Sequence, residues 1–124
     1  MARTFQELDV WQVSMDLAVE IPDFALRFPS DFRWLARQIM DSSESAPSNI
    51  AEGFERRLDG DFARFLRIAK ASIGETERHL VYAKRRRLIA EDESARLSDQ
   101  CVRIRKMLGS LISHLSNREA KLDD

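Results

Sequence analysis

Several features that would direct the sequence toward a secreted, membrane or nucleotide-hydrolysing protein are missing. The single cysteine, Cys101, excludes a disulfide within the chain, and no glycine-rich motif of the kind that cradles phosphates can be matched. No apolar run reaches the roughly 20 residues that a membrane-spanning helix requires. The first apolar stretch is interrupted by four acidic residues, which are Asp9, Asp16, Glu20 and Asp23. These absences favour a chain that neither spans a membrane nor hydrolyses nucleotides.

Residues that break helices are also scarce, and residues that favour helices are abundant. Only four glycines and three prolines occur among 124 residues, of which 44% are hydrophobic and 33% are charged. This length and balance are typical of one soluble domain, and Ala, Leu, Arg and Glu lose little side-chain freedom in a helix. We therefore predict a single all-α domain over residues 1–124. The lack of a secretory signal pattern predicts a cytoplasmic location.

The small net charge of −1 hides an uneven distribution along the chain. Residues 1–55 contain 4 Lys or Arg and 10 Asp or Glu, whereas residues 56–124 contain 16 and 11, so the two parts carry −6 and +5. A dedicated nucleic-acid binder usually has an overall basic excess. Opposite charges attract one another within a fold or between subunits, so the pattern favours self-association.

Apolar residues recur at helical spacing in four segments, which cover residues 7–28, 31–57, 60–88 and 91–117. The last segment has the strict four-three spacing of a bundle seam, at Leu97, Cys101, Ile104, Leu108, Leu111 and Leu115. The sequence therefore predicts a bundle of four helices. Ser30 or Asp31 is predicted to cap the second helix, and the turn around Asp59 the third.

The first helix has more apolar surface than one core requires. One stripe consists of Leu8, Trp11, Met15, Ala18 and Ala25. A second stripe consists of Val10, Leu17, Ile21, Phe24 and Phe28. Because a helix in a small monomeric bundle needs only one such stripe, the other is predicted to contact a second subunit.

The second helix contains an unusual segment, SAPSNIAEGFERR, over residues 45–57. Pro47 lacks the amide that would bond to the Ser43 carbonyl, so we predict that the helix bends there. If the helix instead restarts at this point, Asn49 and Glu52 would form a variant of the capping box. A further alternative is an active site, which is disfavoured because no nucleophile with a histidine partner can be placed there; its residues would be Ser48, Asn49, Glu52 and Arg56.

Two basic clusters lie in the second half of the chain, the first formed by Arg56, Arg57, Arg64, Arg67 and Lys70 and the second by Lys84, Arg85, Arg86 and Arg87. Both are candidates for contacts with the phosphates of RNA or DNA. Acidic residues surround the first cluster, so ion pairing within or between subunits is the alternative. The sequence leaves both open.

No constellation of residues indicates a cofactor or a metal. A di-iron bundle would place Glu-x-x-His motifs on two helices, and neither His79 nor His114 fits that pattern, although Glu75 is predicted to pair with His79. Cys101 occupies a core position, where a cysteine acts as a small apolar group. We therefore predict no catalytic residue, no cofactor, no metal and no small-molecule substrate.

Several motifs resemble those of the 23S rRNA intervening sequence protein family. The most specific is PSNIAEGF, formed by Pro47, Ser48, Asn49, Ile50, Ala51, Glu52, Gly53 and Phe54. Further matches lie in the segments 9–12, 15–18, 28–29, 37–39 and 62–69 and at Ser72 and Glu75. The resemblance covers roughly residues 8–85, and the last third matches only as a generic helix.

The resemblance implies a bacterial up-and-down antiparallel four-helix bundle that assembles as a homopentamer. It also implies a relationship to the accessory protein of diversity-generating retroelements, which engages nucleic acid and a reverse transcriptase. Members of the family are often encoded within an insert that is cut from 23S ribosomal RNA. The leading hypothesis is therefore a non-enzymatic bundle that forms a ring-like homo-oligomer. The alternative is an accessory module that binds RNA or DNA through the basic surface of helices two and three.

Overall fold

The computed structural model describes residues 1–123 as an all-α protein, which confirms the predicted fold class. Its helices are α1 (Asp9–Ala25), α2 (Arg33–Glu55), α3 (Asp59–Arg85) and α4 (Glu91–Asp123). Short 3-10 turns at Phe5–Glu7 and Ser30–Phe32 precede α1 and α2. No strand occurs in this part of the chain.

Each helix packs against the next one along the chain, and α1 also contacts α4. The connections are short: three residues join α2 to α3 and five join α3 to α4. Chains with such short connections place consecutive helices side by side in opposite directions. The contact between α1 and α4 is the least extensive of the four, and an ion pair between Glu20 and Arg96 bridges it.

All four helices contribute to one hydrophobic core. The largest side chains that are fully buried are Leu17, Ile21, Leu35, Ile39, Ile50, Leu66, Ile73, Leu80, Leu97, Ile104 and Leu108. On α4 the predicted seam is buried except at Leu111, which is half-buried. Burial of these apolar surfaces is the main term that stabilises the fold.

The helix ends differ from the sequence prediction. Phe32 donates its N–H to the Pro29 carbonyl across 2.8 Å, and this 3-10 turn shifts the N-cap of α2 to Phe32. Ser30 and Asp31 therefore precede the cap position, and no side chain caps α2, so that prediction was wrong. The N-cap of α3 is Leu58, which forms no side-chain cap either.

Helix α3 ends in a Schellman motif that carries arginine at the position usually held by glycine. Arg87 has a φ of 61°, and its N–H donates to the Lys84 carbonyl. The Leu88 N–H donates to the Ala83 carbonyl across 2.9 Å. A residue with a Cβ is disfavoured in this left-handed conformation, so Arg87 holds the turn at a cost in free energy.

Candidate functional site

The PSNIAEGF segment lies inside an uninterrupted helix. Helix α2 runs through Pro47, which is buried. The Asn49 side chain donates to the Ser45 carbonyl across 2.8 Å, one turn back along the same helix, and Glu52 pairs with Arg56. The helix therefore does not restart at Asn49, and the proposed capping box was wrong. The bend at Pro47 stays a prediction.

Small hydroxyl side chains join α2 to α3 beside this segment. The oxygens of Ser42 and Thr76 are 2.8 Å apart in a buried position, and those of Ser45 and Ser72 are 2.9 Å apart. Buried polar groups destabilise a fold unless they form hydrogen bonds, and these hydroxyl groups form hydrogen bonds with one another. Ser48, the serine of the enzyme alternative, is exposed and takes no part in these contacts.

Gly53 allows the backbones of α2 and α3 to approach closely. A Cβ atom at this position would lie 2.6 Å from the Phe65 Cβ and 3.1 Å from the Phe62 ring. Carbon atoms pack best at about 3.5–4.0 Å, so only glycine fits without moving a helix. The adjacent Phe54 packs edge-on against Phe62 at a centroid distance of 5.9 Å.

Contacts within the chain engage the first basic cluster. The guanidinium groups of Arg56 and Arg64 lie over the same Phe65 ring, at 5.0 and 4.6 Å from its centroid. Arg56 also pairs with Glu52 at 3.4 Å and Arg64 with Asp61 at 3.9 Å. These arginines are held by cation–π and ionic contacts of the kind that stabilise a surface.

The remaining members of the first cluster point in different directions. Arg57 lies over the Phe54 ring at 5.1 Å and approaches the Arg3 carbonyl at 3.4 Å. Arg67 instead reaches across to α4, where its Nη2 is 3.4 Å from the Ser116 hydroxyl. The first cluster is therefore divided between two faces of the bundle.

The second basic cluster lies at the opposite end of α3. Arg64 and Arg85 are 21 positions apart along the helix, which corresponds to roughly 31 Å, so the two clusters form separate surfaces. Lys84 pairs with Glu91 at 3.8 Å, and Arg86 donates to the Tyr82 hydroxyl across 3.1 Å. Arg85 and Arg87 are exposed and form no ion pair with any described residue.

Two exposed aromatic residues accompany this second cluster. Trp34 of α2 and Tyr82 of α3 are 5.9 Å apart between ring centroids. Half of the Trp34 surface is accessible to solvent. The Arg86 guanidinium lies 5.6 Å from the Tyr82 ring, so aromatic faces and positive charge meet at this end of the bundle.

An open groove of about 540 Å³ separates the outer flanks of α3 and α4. Its lining consists of Arg67, Lys70, Ala71, Arg105, Gly109, Ile112 and Ser113. Arg105 pairs with Glu77 at 2.8 Å, whereas no ion pair joins Arg67 or Lys70 to any side chain of residues 1–121. We call this surface the basic groove. The sequence prediction included Arg67 and Lys70 but missed Arg105 and Gly109, because helical spacing alone does not show which flanks of two helices meet.

The outer face of α1 combines apolar and acidic residues. Of the two predicted stripes, the one containing Leu17 and Ile21 is buried. The other is half-buried apart from Ala25, which is buried, and it continues onto Val19 and Leu26, which are 65% and 72% exposed. An acidic row runs beside them at intervals of seven residues, Asp9, Asp16 and Asp23. None of these carboxylates forms an ion pair in the described part of the chain.

The titratable groups outside the basic surfaces include a buried thiol and a histidine paired with a carboxylate. Burial raises the pKa of the Cys101 thiol to about 12, so the reactive thiolate is suppressed. His79 lies 3.3 Å from Glu75, as its spacing predicts. Within residues 1–121, whose side chains the structure describes, no group of three or more His, Cys, Asp or Glu side chains could hold a metal ion. Nor does any helix of this region combine the length and apolar character needed to cross a membrane.

Comparison with known proteins gives a family and a similar structure. The family of 23S rRNA-intervening sequence proteins matches residues 6–110. A crystal structure of a protein with unknown function from the S23 ribosomal protein family of Bacteroides thetaiotaomicron is similar to this chain, with a TM-score of 0.78 and 26% identity. The match covers 84% of this chain and 95% of that one. No curated protein matches the chain. The fold and the match over most of the sequence place the chain in the 23S rRNA-intervening sequence protein family.

Proposed function

We propose that this chain is a non-enzymatic helical-bundle protein that assembles with itself into a ring-like homo-oligomer. The observation that carries this proposal is the outer face of α1, where Val19 and Leu26 are 65% and 72% exposed. Large apolar side chains in a row are stabilised when a partner removes them from water. Five subunits are the number that the family resemblance implies.

The acidic row on α1 favours a contact between unlike surfaces. If two α1 helices met across a twofold axis, the carboxylates of Asp16 and Asp23 in both subunits would approach each other and repel. A surface with the opposite charge is the better partner, and residues 56–124 carry the basic excess. Contacts between unlike surfaces generate a ring when the rotation between subunits closes.

The test is the molar mass of the purified protein by light scattering or analytical ultracentrifugation. The wild type is expected to have the mass of several chains, and Val19→Glu is expected to shift it toward the monomer with unchanged helical content. Leu58→Glu is the matched control, because Leu58 is equally exposed but lies in the turn before α3. A monomeric wild type across micromolar concentrations and moderate salt would contradict the proposal.

A second candidate function, binding of RNA or DNA, is favoured by the aromatic and basic residues at the far end of α3. Single strands bind where aromatic faces stack with bases and cations contact phosphates, and here Trp34 lies against Tyr82, whose ring is contacted by Arg86. Fluorescence anisotropy with labelled single-stranded RNA would then show affinity that falls steeply with salt and falls further in Trp34→Ala. No binding at low salt would exclude this candidate.

A further inference from the structure

Resting on the proposed self-assembly, we propose that the basic groove between α3 and α4 of one subunit receives the outer face of α1 from the next subunit. The groove offers two cations without ion-pair partners in the described chain, Arg67 and Lys70. The α1 face offers carboxylates without such partners. The two surfaces therefore complement each other in charge.

The lining of the groove suits an approaching helix. Ala71, Gly109 and Ser113 are small and leave room along its length, while Ile112 adds apolar surface. A Cβ atom at Gly109 would meet only the Lys70 ammonium, at 3.7 Å, so packing within the subunit does not require glycine there. Glycine is disfavoured in a helix interior relative to alanine, and close approach of a neighbouring helix accounts for its presence.

Helix α1 is the occupant that fits best among the acidic surfaces. The outer face of α2 is also acidic, but its exposed residues include only one large apolar side chain, Trp34. The α1 face combines Val19 and Leu26 with the carboxylates of Asp16 and Asp23. With 17 residues, α1 is about 25 Å long and fits along α3, whose 27 residues span about 40 Å.

The two surfaces cannot meet within one subunit. Helix α1 reaches α4 through the pair between Glu20 and Arg96, and Arg96 lies on a different flank of α4 from Gly109 by helical spacing. The contact must therefore join two chains. Repetition of the same contact from subunit to subunit gives the head-to-tail arrangement of a ring.

Charge reversal tests this contact directly. The variant Asp16→Lys with Asp23→Lys and the variant Arg67→Glu with Lys70→Glu are each expected to raise the dissociation constant of the oligomer at least tenfold at low salt. All four changes in one chain are expected to restore most of the affinity. Matched controls are a reversal on the outer face of α2 and one on the other flank of α4, Glu44→Lys and Arg103→Glu.

The groove can also be blocked without changing charge. Gly109→Leu is expected to dissociate the oligomer while helical content stays constant, and Gly109→Ala, which adds a smaller group to the same contact, is expected to raise the dissociation constant less. A monomeric wild type would contradict self-assembly itself. If the wild type is oligomeric and the groove variants have the same mass as the wild type, only the groove contact would be overturned. The groove contact would also be overturned if the charge reversals in the groove left the mass unchanged but abolished RNA binding, because the groove would then be a nucleic-acid-binding surface.

Discussion

Substitution of Gly53 by alanine is expected to destabilise the bundle although alanine is the better helix former. The added Cβ would lie 2.6 Å from the Phe65 Cβ. Restoring an ordinary carbon–carbon distance requires α2 and α3 to separate locally by about 1 Å. The Phe65 Cβ is bonded directly to the α3 backbone, so rotation of the side chain cannot relieve the contact.

The expected magnitude follows from two opposing terms. Overpacking of a core position costs about 1–3 kcal/mol, and the fixed position of the Phe65 Cβ places this case near the upper limit. Replacing glycine by alanine in a helix interior returns about 1 kcal/mol. The free energy of unfolding is therefore expected to fall by about 2 kcal/mol, which lowers the Tm by roughly 6–8 °C for a chain of this size.

Gly74→Ala is the matched control for this measurement. Like Gly53, Gly74 lies inside a helix, in this case α3. A Cβ at Gly74 would meet only the end of the Arg78 side chain, at 3.6 Å. This variant is expected to gain about 1 kcal/mol in stability. Urea unfolding followed by circular dichroism at one fixed chain concentration compares both variants with the wild type. If Gly53→Ala stabilised the protein as Gly74→Ala does, the close approach of α2 and α3 at Gly53 would be refuted.

Three further predictions concern a helix end, an ion pair and the buried thiol. Arg87→Gly is expected to raise the free energy of unfolding by about 1 kcal/mol, because glycine adopts the left-handed conformation without the strain of a Cβ. Arg87→Ala keeps the Cβ and is expected to bring no such gain. Equal unfolding curves for the two variants would contradict this prediction. Hydrogen bonds from Arg118 hold the pKa of Asp59 in the folded chain below its ordinary value of 3.8. These hydrogen bonds therefore stabilise the fold above pH 3.8, and the stabilisation is lost as the pH falls through the pKa of Asp59 in the folded chain. Arg118→Gln should therefore lower the urea midpoint at pH 7 but not in strong acid, while Arg103→Gln should change neither; an equal effect at both pH values would count against the pair. The Cys101 thiol is expected to resist a disulfide reagent at pH 8 until urea unfolds the chain, and rapid reaction of the native protein would show that it is accessible.

The four helices could be predicted from the sequence because helical spacing records which face of each segment is buried. The α4 seam shows this, since Leu97, Ile104 and Leu108 repeat at the spacing of a bundle and are buried. Helix ends were less predictable. Ser30 and Asp31 have the side chains of good caps, but the turn closed by Phe32 and Pro29 places the cap position beyond them.

The candidate surfaces could be predicted only in part, because each depends on how two helices are rotated against each other. The sequence identifies Arg56 and Arg64 as basic, but not that both lie over Phe65. It likewise gives Arg67 without showing that Gly109 of α4 lines the same groove. The spacing of residues within one helix does not show which side of the neighbouring helix packs against it.

The central claim is that this chain assembles with itself, and the molar mass in solution tests it most directly. Sedimentation equilibrium of the purified protein at micromolar concentration should give a whole-number multiple of the 14.4 kDa chain, and five copies would agree with the family resemblance. A mass of 14.4 kDa across the micromolar range at moderate salt would contradict the account.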